Sequence, residues 1–190
     1  DGKRNEIING TTDWAYEEEL ETTKLMSWSE DGLYLSFVRS DERAVPEYKM
    51  PMYTGHLYPE DYKYKYPVPG ENNSKVSLHI YNVTDRSQKR VAIPEGDAYY
   101  IPRIEYIGRN QDLAVMTLNR HQNHFRMIYV NSKTLIPKTI FEEKNSRYLT
   151  AEDIHSIQFT REGFAYLSER SGYTHAYLFS DRGQLIRPLT

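Results

Sequence analysis

The amino-acid sequence predicts an all-β fold of about three consecutive four-stranded antiparallel units, with a single short helical turn set into the first. A strand, a tight turn holding glycine and a second strand recur three times: Met26 to Arg39 around Asp31-Gly32, Pro102 to Arg120 around Gly108-Arg109-Asn110, and Ile157 to Arg170 around Gly163. Each copy is followed by another strand pair joined by a polar turn: Val76 to Val83 with Lys89 to Ile93, Arg126 to Val130 with Thr139 to Glu142, and Thr174 to Phe179 with Gln184 to Leu189. Four strands per unit suit the blades of a β-propeller, although strand density alone allows a β-sandwich equally well. The helical turn is predicted by Asp13-Trp14-Ala15-Tyr16-Glu17-Glu18-Glu19, where Thr12 or Asp13 can serve as N-cap.

In chain order, Asp1-Gly2 and Arg4 to Ile8 read as a turn and a short strand. Asp181-Arg182-Gly183 and Gln184 to Leu189 repeat that pattern at the far end, so both ends are expected at the same phase of a repeat. In the first hairpin Leu33, Leu35 and Phe37 alternate along the second strand, and all three second strands end in arginine. The first unit is longer than the others because of the stretch from Arg39 to Lys75. Prolines 46, 51, 59, 67 and 69 bar this stretch from a central strand, whereas Tyr62-Lys63-Tyr64-Lys65-Tyr66 reads as an edge hairpin with one aromatic face. Residues 40–75 are therefore expected to form an inserted arm, either projecting as an interface rich in tyrosine or folded back on its own unit.

Three consecutive carboxylates after two large aromatic residues pose an electrostatic problem. Two unit charges about 4 Å apart repel by roughly 4 kcal/mol at an effective dielectric of about 20 unless solvent or a cation intervenes. In a strand Glu17 and Glu19 would share one face and Glu18 the other; in a helical turn neighbours sit about 100° apart and two can converge. Acidic groups in a first turn also gain from the helix dipole. Two readings follow, a solvated acidic helix end or a cation clamp, with Trp14 and Tyr16 packing to hold the turn.

Composition narrows the function classes. The chain has 190 residues, a formal net charge of −3 and 27% charged residues, with no long basic run, so a nucleic-acid partner is not expected. There is no cysteine, hence no disulfide, thiolate metal site or cysteine nucleophile. His121 and His124 have a spacing that on a helix could ligate zinc, but a hairpin or loop is expected there and no third ligand is nearby, so no metal or other cofactor is predicted. His175 reads as a packed side chain. The apolar runs are too short for a membrane-spanning helix, no secretory leader opens the chain, and the sequence reads as a piece cut from a longer protein. No Gly-x-Ser-x-Gly elbow and no glycine-rich phosphate loop occurs.

The motif Asp13-Trp14-x-Tyr16-Glu17-Glu18-Glu19 resembles the double-glutamate motif of the dipeptidyl peptidase IV family of serine exopeptidases, most closely its bacterial members. Trp28-Ser29-x-Asp31-Gly32-x-Tyr34-Leu35, Val45-Pro46-Glu47-Tyr48, Tyr66-Pro67-x-Pro69-Gly70-Glu71-Asn72 and Ser168-Glu169-Arg170-x-Gly172-Tyr173-x-His175 continue the resemblance in the family's order. It implies that residues 1–190 are part of an N-terminal β-propeller, with the glutamates on a short helix. It further implies that Glu18 and Glu19 bind the free α-ammonium of a peptide substrate, Glu17 preceding the pair, and that the arm joins two subunits of a homodimer. The family's catalytic triad lies in a C-terminal α/β-hydrolase domain of the same chain, so no catalytic residue is expected here and residues 1–190 alone should be inactive. A periplasmic or cell-envelope location is implied as well. The competing expectation is a propeller scaffold that only binds other proteins.

Overall fold

The computed structural model describes residues 1–94, 99–108 and 112–190. Its elements, in chain order, are β1 (Ile7–Asn9), α1 (Trp14–Glu19), β2 (Met26–Trp28), β3 (Tyr34–Asp41), β4 (Glu47–Met52), β5 (Glu60–Lys65), β6 (Lys75–Asn82), β7 (Ser87–Arg90), β8 (Tyr100–Tyr106) and β9 (Asp112–Leu118). They are followed by β10 (His124–Asn131), β11 (Pro137–Lys144), α2 (Ala151–His155), β12 (Gln158–Phe159), β13 (Gly163–Ser168), β14 (His175–Ser180) and β15 (Leu185–Pro188). The fold is all-β, and three antiparallel sheets of the blade type follow one another along the chain. The second runs β8-β9-β10-β11 and the third β12-β13-β14-β15, each a plain meander; the first runs β1-β3-β6-β7, with β2 also paired to β3. The turn expected at 108–110 falls partly outside the described residues.

The two ends of the chain, although similar in pattern, are not equivalent strands. β1 pairs with β3 at the start of the first sheet, whereas β15 is the last strand of the third. β1 and β2 share one edge of β3 end to end: β1 faces Arg39 to Asp41 and β2 faces Leu35 to Phe37. Together they form one broken edge strand, and everything between them is an excursion from it.

The most buried side of β3 is Ser36, Val38 and Ser40, not the alternating Leu33, Leu35 and Phe37. The small residues admit the second sheet closely: the Tyr106 hydroxyl lies 2.8 Å from Ser36 Oγ and 2.7 Å from Ser132 Oγ, and Tyr106 N–H donates to Ser27 Oγ at 3.2 Å. On the opposite side Phe37 stacks on His79 with ring centroids 5.5 Å apart. Between the second and third sheets the core is aromatic, with Phe141 packing on Phe179 (4.8 Å) and Phe164 (5.5 Å), and Phe125 on Tyr166 (5.8 Å). Ring pairs of this kind add about 0.5–1.5 kcal/mol each beyond their buried area.

Past Glu42, whose N–H still donates to Glu6 O at 2.8 Å, the chain between β3 and β6 leaves the ladder of the first sheet. β4 and β5 pair only with each other, from Glu47 opposite Lys65 to Met52 opposite Glu60. Pro51 is tolerated because a two-stranded ribbon leaves one side of each strand without a ladder. Tyr62, Tyr64 and Tyr66 alternate onto one face, as the period of two requires, and their rings meet at 5.5 and 5.9 Å.

Candidate functional site

The acidic helix sits at the tip of the excursion that breaks the edge strand. Its stem is closed by backbone bonds: Gly10 N–H donates to Val38 O, Leu25 N–H to Gly10 O and Val38 N–H to Leu25 O, each at 2.9 Å, and Thr11 bridges Lys24. Gly10 has φ of +74°, which lets the chain turn out of the ladder at that point. The sheet therefore continues past the insertion as if it were absent.

Asp13 is the N-cap, its Oδ1 accepting from Tyr16 N–H at 3.0 Å, while its Oδ2 accepts from Ser74 Oγ on the segment entering β6. Tyr16 and Leu20, one turn apart, are the buried side of α1. The Tyr16 hydroxyl accepts from Ile101 N–H of β8 at 2.9 Å, and its ring meets Tyr100 edge-on at 6.1 Å. Burial pushes the Tyr16 hydroxyl pKa far up, against the opposing pull of the Ile101 bond, so the group stays a neutral anchor. Trp14 rests on Tyr66, with centroids 4.1 Å apart, linking the helix to the tyrosine row of the arm.

With that side buried, Glu17, Glu18 and Glu19 all remain exposed. Only Glu17 lies in the first turn; Glu18 and Glu19 occupy the last, which holds no basic residue. The dipole gain expected for acidic groups at a helix start thus applies to Glu17 alone. At the C-terminal end the partial charge is negative and opposes Glu18 and Glu19.

The roughly 100° step between neighbours also sends the three side chains to different surroundings. Glu19 lines a cavity of about 450 Å³ with Trp14, Tyr66, Tyr100 and Arg120. Glu17 lines a second, of about 520 Å³, under the arm with Asp13, Glu42, Tyr62 and Tyr64, and Glu18 lines neither. Arg120 is fixed at the rim of the first, its guanidinium 5.2 Å from the Tyr99 ring centroid and donating to Glu71 O at 2.9 Å. Under the arm, burial and the nearby charge of Asp13 hold the Glu42 carboxyl above its ordinary range, with Lys65 pulling the other way.

Other residues around the helix carry no sequence signal of their own. His155, at the end of α2, places Nε2 2.9 Å from Leu20 O and 3.3 Å from Thr22 Oγ1. The helix bearing it is marked in sequence by Thr150-x-x-Asp153, which forms a reciprocal capping box. His124 lies 3.2 Å from Glu142, and among the described residues no group of three or more His, Asp or Glu side chains is placed to share a metal ion.

The family model described as "Dipeptidyl peptidase IV (DPP IV) N-terminal region" matches residues 1–190. The crystal structure of Porphyromonas gingivalis dipeptidyl peptidase 4 superposes with a TM-score of 0.95 at 55% identity, covering 100% of this chain and 27% of that one. Inactive dipeptidyl peptidase 10 of Mus musculus is 31% identical over 167 residues, 85% of this chain and 21% of the relative. Dipeptidyl peptidase 4 of Trichophyton rubrum is 28% identical over 189 residues, 92% of this chain and 24% of the relative. The chain thus spans about a quarter of the length of these relatives.

Proposed function

We propose a function from one established premise: the chain belongs to the dipeptidyl peptidase IV N-terminal region family. On this proposal its three sheets are blades of the propeller of a dipeptidyl peptidase, and Glu18 and Glu19 hold the free α-ammonium of the peptide substrate. One observation carries the proposal, namely that two exposed carboxylates, Glu18 and Glu19, occupy the end of a helix whose dipole repels them, on a turn whose other side is fixed by Asp13 and Tyr16. Such an arrangement is stabilised by a cation. An ammonium supplies a full charge and three donors, enough for two carboxylates in charge-assisted hydrogen bonds.

A fixed ammonium makes the helix a ruler. When the amine is anchored at a set distance from the nucleophile, only the bond after the second residue reaches it, and dipeptides are released. The nucleophile belongs to an α/β-hydrolase domain outside residues 1–190. The arm, with Tyr53, Leu57 and Tyr58 well exposed near its tip, serves as a homodimer contact. The similarity to a relative named inactive favours a second reading, in which the propeller is a protein-binding scaffold and the acidic run is solvated surface. The two separate on the intact parent protein, by comparing substrates with and without a free amine in Glu18→Gln and Glu19→Gln variants.

A further inference from the structure

The geometry points to His155 as a positioning residue for the glutamate helix, acting across the junction of all three sheets. This inference rests on the amine-anchoring role of Glu18 and Glu19. α1 has only six residues and ends on two carboxylates that its dipole disfavours, so its end is stabilised by each donor that reaches its last carbonyls. Within the excursion itself, Leu20 N–H and Thr22 N–H both go back to Tyr16 O. Leu20 O, immediately after Glu19, has two donors within reach: Thr22 Oγ1 of the same excursion at 3.1 Å and, from far along the chain, His155 Nε2 at 2.9 Å. A carbonyl can only accept, so the hydrogen is on Nε2. The single hydrogen of Thr22 Oγ1 is shared between Leu20 O and Pro102 O of β8, both at 3.1 Å, so His155 is the donor that leaves it available to β8.

His155 is itself held from behind. Arg103 of β8 directs Nη1 at the carbonyls of Ile154 (3.3 Å), His155 (3.2 Å) and Ile157 (2.9 Å), capping the end of α2 as a cation favours. Glu105 accepts from the other arm of the same guanidinium. One hydrogen-bonded chain therefore runs from the second sheet through α2, which leads into the third, to the carbonyl that closes α1 in the first. Where the ammonium is held depends on where α1 ends, and His155 fixes that end.

The test uses the intact parent protein, with kcat and KM measured for a dipeptidyl amide and for an amine-free acyl ester. His155→Leu is expected to lower kcat/KM for the amide about tenfold, a displaced anchor costing alignment as well as binding, and to leave the ester within about twofold. His155→Gln places an amide donor where Nε2 lies, and is expected to restore most of the amide activity. Equal losses on amide and ester, or equal losses in the Leu and Gln variants, would overturn the inference. Glu18→Gln and Glu19→Gln are run beside them: if they spare the amide, the anchoring role falls and this inference with it; if they lose the amide while His155→Leu does not, this inference alone falls. Should His155→Leu fail to fold, His155→Asn, whose shorter amide falls short of Leu20 O, is compared with His155→Gln: amide-selective loss is expected for Asn alone, and its absence overturns the inference.

Discussion

The first sheet is interrupted twice, once by the helical excursion in its edge strand and once by the arm between β3 and β6, whereas the second and third run as uninterrupted meanders. In the plain sheets the ladders are paired and the facing sides meet in the Phe125, Phe141, Phe164 and Phe179 cluster. The interrupted sheet holds three exposed carboxylates, a row of tyrosines on the arm, and a buried Glu42 whose carboxyl is held above its ordinary range by burial. Buried aromatic packing and exposed charge are thus carried by different parts of one architecture. The propeller-type ladder closes around an insertion at the Gly10 and Leu25 stem, so the insertion can be shaped by function at little cost to the sheet.

Substitutions should divide along the same line, beginning with the plain sheets, where the largest loss of stability is expected. Gly183 turns β14 into β15 at φ +76°, and a Cβ there would sit 1.9 Å from Ile140 O of β11. Gly183→Ala should cost about 3 kcal/mol or more from overpacking and left-handed strain together. In thermal unfolding this is a fall in Tm of roughly 6–12 °C. A loss under about 1 kcal/mol would mean that the third sheet is not seated on the second as described.

A smaller effect of opposite sign is expected under the arm. A carboxyl whose folded pKa is raised above its ordinary value of 4.5 contributes its stability at low pH and loses it as pH rises through the folded value. Glu42→Gln should therefore be more stable than wild type at neutral pH, and should flatten the decline in stability above about pH 4.5. Denaturant titrations at pH 4 and pH 7 check this, and an equal change at both would contradict it. Replacing residues 53–59 at the arm tip by a two-residue Asn-Gly turn should leave the unfolding midpoint unchanged, since β4 and β5 pair only with each other. On the proposed homodimer contact, the same change in the intact parent should convert dimer to monomer in sedimentation. A persistent dimer would remove the arm from that interface.

Much of this division is readable in the sequence. The Asp31-Gly32 and Gly163 turns, the alternation after them and the Asp13 cap are local signals, and each sits where the chain folds accordingly. Proline spacing likewise marks the arm. Non-local pairings escape such reading. β1 joins β3 across some thirty residues, so the strand it forms with β2 cannot be recognised from either half. Blade-type sheets carry apolar residues on both sides, and the alternation of Leu33, Leu35 and Phe37 therefore does not reveal that Ser36, Val38 and Ser40 face the second sheet. α2 has five residues, too few for helical periodicity, and His155 meets Leu20 over 135 positions.

The glutamates themselves should contribute least to the fold: removing a charge that the helix dipole opposes leaves stability unchanged or slightly higher. Their effect belongs to activity, and the most direct measurement is kcat/KM of the intact parent for a dipeptidyl amide and for an amine-free ester, in wild type, Glu18→Gln and Glu19→Gln. Loss of one hydrogen bond to a charged group costs about 2 kcal/mol. Each variant should therefore lose roughly 30-fold on the amide and little on the ester. Near wild-type activity of both variants on the amide would contradict the anchoring role and return Glu17, Glu18 and Glu19 to solvated surface.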